Sequence, residues 1–404
     1  ALFPARAAVT IALAPIHGAV WAQETYHLDD LYYRVFFNAD RTIGLYPTGT
    51  YASGFGITAG ARFVARDLLG EHEAVALQAT TGALTGDDYH ESALISADTG
   101  ERLGRLQLGV EGSFDRRPND PFYGIGNAHV GTPTGLRIDP RDPPVAVSTH
   151  YRYQEQRAAL FADVQIAGQF HARVSSAIAN HGFGRSTDGP PIDQVFEASG
   201  LIGWVGFDTG SAELELRIDE RRRASEWEPA DLHGEGWLAA AALGRVHRLD
   251  NGGRDFWHGS AEVQEFIHLA RGPRLLALRA RGEAVSGSTM DVPFSELPML
   301  GGGDFLRGYD YGRFRDRIAV LGSAEYLWDL SHWFAAALFV DAGRVYSSVD
   351  DVTLSGTRVG FGAALEISKD DAFLFETSIS SSIDGGLFLN VSFNPVFDSR
   401  PRWR

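Results

Sequence analysis

The chain has 404 residues, no cysteine, 46 glycines, 25 phenylalanines and a formal net charge of −16. Without cysteine there is neither a disulfide framework nor a thiolate metal site, and the acidic balance argues against a nucleic-acid partner, which calls for a basic surface. Glycine and phenylalanine at this level suit many short strands whose backbones approach closely.

The chain opens "ALFPARAAVTIALAPIHGAVWAQE". Residues 1–22 read as a secretory signal peptide: Arg6 supplies positive charge, residues 9–14 an apolar core, and Val20, Trp21 and Ala22 a small-residue cleavage site. The alternative is a disordered or helical N-terminus. Residues 23–40 are then a short periplasmic N-terminal segment. Beyond residue 22 no apolar run approaches the ~18 residues of a spanning helix, which leaves a soluble protein or a barrel.

Two-residue periodicity decides between these. In 55–65, Phe55, Ile57, Ala59, Ala61, Phe63 and Ala65 share one face, against Gly56, Thr58, Gly60, Arg62 and Val64. In 105–114, Leu106, Leu108, Val110 and Phe114 oppose Arg105, Gln107, Gly109, Glu111 and Ser113. In 357–368, Val359, Phe361, Ala363, Leu365 and Ile367 oppose Arg358, Gly360, Gly362, Ala364 and Glu366, which puts Ala363 on lipid and Gly362 in a lumen with room for a polar side chain. Alternation over about ten residues marks a transmembrane β-barrel, apolar side to lipid and small or polar side to the lumen. Strands of a β-sandwich also alternate, but are typically about 5–6 residues long.

The pattern predicts sixteen strands, near 41–51, 54–66, 72–82, 89–98, 104–115, 148–163, 168–181, 210–222, 235–247, 256–270, 273–286, 315–328, 332–346, 356–368, 371–380 and 386–394. The number is even, as single-chain bacterial barrels require. Segment 195–208 is assigned to a long hairpin rather than to a strand of its own. The barrel occupies 41–397 and a tail 398–404. Tight turns at 67–72 and 270–273 alternate with long loops at 116–147 and 287–314, the periplasmic and extracellular sides of such barrels.

The last long loop contains "GGGDFLRGYDYGRFRD", residues 301–316. In the strand after it, Ile318, Val320, Tyr326 and Trp328 define the apolar face, which turns Glu325 to the lumen with Leu321 and Ser323. In the next, Phe334, Leu338 and Val340 face out, which turns Asp341 in. A guanidinium at Arg307 could bind these carboxylates bidentately, with charge-assisted bonds of about 1.5–3 kcal/mol each. Gly308 would permit the turn, and Tyr309 would pack against the inner wall.

Together with "EYLWDL" at 325–330 and "FVDAGRVY" at 339–346, this motif resembles the BamA/TamA family of outer-membrane proteins, the bacterial surface antigen barrels. The family hallmark is a Val/Leu-Arg-Gly-Phe/Tyr motif on the sixth extracellular loop. "FYGIGN" at 122–127 also resembles a loop motif of the family. The resemblance is strongest over 298–393. It implies an all-β fold: a sixteen-stranded antiparallel transmembrane barrel with an inward-folded sixth extracellular loop, in which Arg307 contacts Glu325 and Asp341. The chain looks like a barrel-only member without periplasmic polypeptide-transport-associated domains. The family's terminal aromatic assembly signal corresponds to Phe393, with Phe397 the alternative.

The function implied is outer-membrane protein or lipid assembly, or transport, in the bacterial outer membrane. Partners would be outer-membrane lipid and lipopolysaccharide, with protein clients or periplasmic assembly partners; no catalysis, cofactor or metal is implied. The rivals are a plain pore or structural barrel and an outer-membrane lipid hydrolase. The histidines lack metal-site spacings, and there is neither a Gly-x-Ser-x-Gly elbow nor a phosphate-binding loop. Arg221, Arg222 and Arg223 read as a solvated strand end, or as a contact for lipopolysaccharide phosphate. Arg62, Arg105, Glu111, Arg358 and Glu366 read as a lumenal charge network, and Tyr326, Trp328, Trp333 and Tyr346 as an interfacial girdle.

Overall fold

The computed structural model describes residues 21, 25–26, 34–52, 56–82, 90–131, 137–143, 145–221, 236–250, 253–269, 274–330, 334–369 and 372–392. Among them are sixteen barrel strands: β1 (Ile43–Ala52), β2 (Gly56–Arg66), β3 (Ala74–Gly82), β4 (Glu91–Asp98), β5 (Leu106–Phe122), β6 (Thr149–Ala167), β7 (Phe170–Arg185), β8 (Phe207–Asp219), β9 (Gly236–Arg248), β10 (Phe256–His268), β11 (Arg274–Val285), β12 (Ile318–Asp329), β13 (Phe334–Tyr346), β14 (Arg358–Lys369), β15 (Ala372–Ser382) and β16 (Phe388–Ser392). Each strand pairs antiparallel with its neighbours in sequence, and β1 meets β16 to close the barrel. Among the described residues that closure consists of two pairs, Tyr51↔Val391 and Ala52↔Asn390. The signal region apart from Trp21, the terminal aromatics Phe393 and Phe397, the tail 398–404, Arg222, Arg223, Trp333 and the turn at 270–273 lie outside the described residues.

Why these segments form a barrel is visible in their alternation. On β12, Ala319, Leu321, Ser323, Glu325 and Leu327 are buried, while Val320 between them is exposed. On β7, Ser175 and Ala177 are buried and Val174 and Ile178 exposed. Leu45, Ile57, Leu160, Leu214, Leu243, Val263, Leu338, Phe361 and Ile379 continue the exposed apolar set around the outer wall. A continuous apolar belt of this extent is far beyond the scattered apolar residues of a water-soluble surface, and matches a wall facing lipid.

Besides Gly362, where a Cβ would lie 2.2 Å from the Ile379 carbonyl oxygen instead of meeting open lumen, three features differ from the sequence expectations. First, β5 runs on to Phe122 through what was expected to be loop. Its ladder with β6 shifts register between Arg117 and Asp120, so Pro118 sits in a bulge where no donor is required. Second, Arg221 is not solvated: it is buried, pairs bidentately with Asp219 at 2.8 and 2.9 Å, and donates to Gln264 at 2.8 Å. It also lies at the short-turn end, away from the long loops. Third, Tyr346 is buried under its own loop, its hydroxyl donating to the Thr353 carbonyl at 2.6 Å, rather than standing in a girdle. Tyr326 and Trp328 stay on the outer face with ring centroids 5.6 Å apart.

Segment 195–208 is not a strand of its own. A helical turn at Ile192–Val195 and a 3-10 turn at Ala198–Gly200 precede the start of β8 at Phe207. These turns contribute to an apolar plug at the long-loop end, where Phe122, Tyr151, Ile192, Phe196, Leu201, Phe256, Phe294 and Leu297 pack together. Phe122 meets Phe196 and Phe294 edge-on, at 5.1 and 5.4 Å between centroids, the geometry that aromatic quadrupoles favour.

Candidate functional site

The connection from β11 to β12 carries Arg307. Its base is a two-residue ladder, Met299↔Arg315 and Leu300↔Phe314. Gly301 and Gly302 follow at φ 113° and 96°, a region that only glycine enters freely. Leu306 also has a positive φ, 67°, at a cost of about 1–2 kcal/mol for a residue with a Cβ. Packing offsets that cost, since Leu306 is fully buried against Leu300, Tyr309, Phe314, Leu321 and Val345.

This backbone points Arg307 at the wall formed by β12 and β13. Its side chain is fully buried. The backbone N–H and Nε both donate to Asp341 Oδ2, at 2.9 and 2.8 Å, and Nη2 donates to Asp341 Oδ1 at 3.0 Å. Nη1 donates to Glu325 Oε2 at 2.8 Å. The guanidinium carbon lies 3.4 Å from the centroid of the Phe339 ring, which faces inward two residues before Asp341. Planar, delocalised charge suits both contacts at once: the fork matches the carboxylate and the face stacks on the ring. A buried cation otherwise carries a large desolvation cost, which two ionic partners offset here.

The next residues continue along β14 and β15. Gly308, at φ 91°, fits so closely that a Cβ would come within 2.1 Å of the Ser381 carbonyl oxygen. The Tyr309 hydroxyl donates to Asp384 Oδ2 at 3.0 Å. Burial and this carboxylate push the hydroxyl up to about 12, so it remains a donor at neutral pH. Asp384 also accepts from Arg358 at 3.0 Å. Beyond Arg307, Glu366 and Glu376 face each other across β14 and β15 and are both buried. Several acids thus surround one cation.

On the short-turn side of this loop lies a polar cavity of about 1450 Å³, bounded by Arg62, Arg105, Glu111, Arg157 and Arg173 on the wall and by Gly301, Asp304 and Phe305 of the loop. Arg173 donates to Glu111 at 2.9 Å and stacks 3.7 Å from the Phe161 centroid. Of the charges read as lumenal, Arg62, Arg105 and Glu111 line this cavity, while Arg358 pairs with Asp384 and Glu366 opposes Glu376.

The sequence brought Arg307, Gly308, Tyr309, Glu325 and Asp341 into view, and the structure places them within one cluster. It also assigns parts to residues that sequence reasoning did not single out: Phe339, Asp384 and Glu376. Phe339 was within reach, since it shares the two-residue parity of Asp341. Asp384 carried no signal, because it sits in a turn, where no periodicity applies.

Residues 234–369 match the Omp85 superfamily domain. The matched stretch contains Arg307 together with Glu325 and Asp341. No curated protein matches the chain in sequence. Among solved structures, the chain is similar to BamA from Haemophilus ducreyi lacking POTRA domains 1–3, with a TM-score of 0.58 and 12% identity over 87% of this chain and 69% of that one. It is also similar to CdiB from Escherichia coli, with a TM-score of 0.55 and 12% identity over 86% of this chain and 62% of that one. For CdiB from Acinetobacter baumannii the TM-score is 0.53 with 11% identity, over 87% of this chain and 59% of that one. The chain therefore spans less than two thirds of either CdiB chain. At such identities the likeness is one of fold.

Proposed function

We propose that this Omp85 barrel serves assembly or transport of outer-membrane protein or lipid in the bacterial outer membrane, with segment 301–316 as an internal latch that keeps the lumen closed at rest. The observation that carries this reading is the seat of Arg307: a fully buried cation with four hydrogen bonds to Asp341 and Glu325. A plain pore gains nothing from such a seat, because its lumen must stay open. Here the loop roofs the cavity of about 1450 Å³ on one side and the aromatic plug fills the other. A client polypeptide would enter from the short-turn end, where the cavity is wide and polar. Lipid, including lipopolysaccharide, would contact the apolar outer wall. No step of this activity is catalytic.

Conductance across a planar bilayer separates the two classes. The wild-type chain should be closed most of the time, while Arg307→Ala and a variant lacking 303–312 should conduct steadily. Equal, steady conductance in all three would make the protein a plain pore. Assembly is tested in vesicles containing the protein, by adding an unfolded eight-stranded barrel polypeptide. Faster folding than in empty vesicles is expected, and an unchanged rate would sink the assembly reading.

A further inference from the structure

The ladder between β13 and β14 ends at Gly343↔Arg358. Past that point, among the described residues, no strand lies beside the edge of β13 that carries Val345, yet both backbone groups of Val345 are satisfied. The Asn127 carboxamide donates from Nδ2 to the Val345 carbonyl at 2.7 Å and accepts the Val345 N–H on Oδ1 at 3.2 Å. A carboxamide carries the donor and acceptor of a peptide group, so Asn127 stands in for the missing strand residue. Its orientation is fixed, because a carbonyl only accepts and an N–H only donates.

The same segment also holds the latch. Gly126 donates its N–H to the Arg315 carbonyl at 2.7 Å, and Arg313 donates to the Ala128 carbonyl. The Asn127 carbonyl accepts from Arg358 Nη2 at 2.7 Å. Arg358 in turn reaches Asp384 at 3.0 Å, which is the acceptor of the Tyr309 hydroxyl. Residues 126–128 thus lie over 309–316 like a bar, anchored at one end by β5 and at the other by the edge of β13.

We propose that residues 122–129 are a clasp, docked on the open edge of β13 by Asn127, and that this clasp is needed to keep segment 301–316 seated. Asn127 is a positioning residue: it touches no client and acts through the loop it holds. The inference rests on the latch reading and deepens it, since opening then requires two loops to release together.

The chain has no cysteine, so one introduced thiol is a unique label site. Gly303→Cys is suitable, because the atoms nearest a Cβ there belong to the Asn390 side chain, in ordinary contact at 3.6 Å and beyond. A nitroxide at this position, on the full chain in vesicles, should give a strongly immobilised spectrum. Asn127→Ala should raise the mobile fraction several-fold while the folded, heat-modifiable fraction stays unchanged, a result that a general loss of stability would not give. Arg307→Ala is the reference and should mobilise the label as well. A label mobilised by Arg307→Ala but not by Asn127→Ala overturns the clasp and leaves the latch standing. A label mobilised by neither overturns the latch itself. Mobilisation by Asn127→Ala alone supports the clasp and removes Arg307 as the anchor. Should Asn127→Ala not fold, Asn127→Asp keeps the size and loses the donor to Val345, and an unchanged spectrum there overturns the clasp.

Discussion

Gly360 and Arg307 share one space: a Cβ built on Gly360 would lie 1.6 Å from the Arg307 carbonyl oxygen. The latch backbone rests directly on β14, at the one residue type without a side chain. Gly360→Ala should therefore unseat the loop without changing any charge. Overpacking of this kind costs about 1–3 kcal/mol, and here the obstacle is backbone, which cannot rotate aside. Protease cleavage within 301–316 is expected to rise to the level of Arg307→Ala. Wild-type resistance in Gly360→Ala would mean that the loop is held elsewhere.

The barrel was legible because its signal is local. Each strand declares its inward and outward faces in its own ten residues, as Leu321, Ser323, Glu325 and Leu327 do on β12. The latch residues were legible for a different reason, a motif that resembles one of the BamA/TamA proteins, combined with the parity that turns Glu325 and Asp341 inward. What the sequence hid depends on contacts between distant segments. Pro118 reads as a loop residue until the bulge in β5 is seen. Arg221 reads as solvated until Gln264 arrives from β10. Gly362 reads as an open lumenal position, but the structure fills the space: a Cβ there would lie 2.6 Å from the Phe339 ring and 2.2 Å from the Ile379 carbonyl oxygen. Period-2 reasoning gives the face of a residue, and not what has been packed against it.

The wall offers a test at neighbouring positions. Ala363 is exposed on the outer face of β14. Ala363→Arg should lower stability by about 2–4 kcal/mol if it lies near the bilayer midplane. Gly362→Ser should also be costly, by the clash with Phe339 rather than by desolvation. The two separate by environment: in detergent micelles, where a charge can reach water more easily, the penalty at Ala363 should shrink and that at Gly362 should persist. Urea unfolding in vesicles and in micelles reads both, and a penalty at Ala363 that is equal in the two media would place that residue away from lipid.

Glu366 and Glu376 are directly opposed on β14 and β15. Like charges directly opposite each other destabilise a sheet. Glu376→Gln keeps the shape and removes an acid from the pair, so thermal unfolding should stay unchanged or rise by a few degrees. Glu325→Gln, which takes a partner from Arg307, should lower it. A marked fall with Glu376→Gln would show that its charge, like that of Glu325, is part of the seat of Arg307.

Arg307 itself gives the strongest expectation. Removing one member of a buried ionic cluster costs about 3–5 kcal/mol, because the remaining charges stay buried without compensation. Arg307→Ala leaves Glu325, Asp341, Glu366 and Glu376, all at most 4% exposed, around an empty site. Slower or incomplete assembly and greater protease sensitivity of the loop should follow, with strand content unchanged once folded. Arg307→Glu should be worse than alanine. Arg307→Lys should fall between wild type and alanine, since an ammonium keeps the charge but cannot fork onto Asp341, reach Glu325 and lie flat on Phe339 together. Adding Glu325→Gln and Asp341→Asn to Arg307→Ala should recover part of the loss, because the penalties belong to one network and do not add. The amount of heat-modifiable barrel in the outer membrane, read on gels for each variant, orders the series. Wild-type amounts in Arg307→Ala, or a triple variant as poor as Arg307→Glu, would mean that this cluster does not hold the loop.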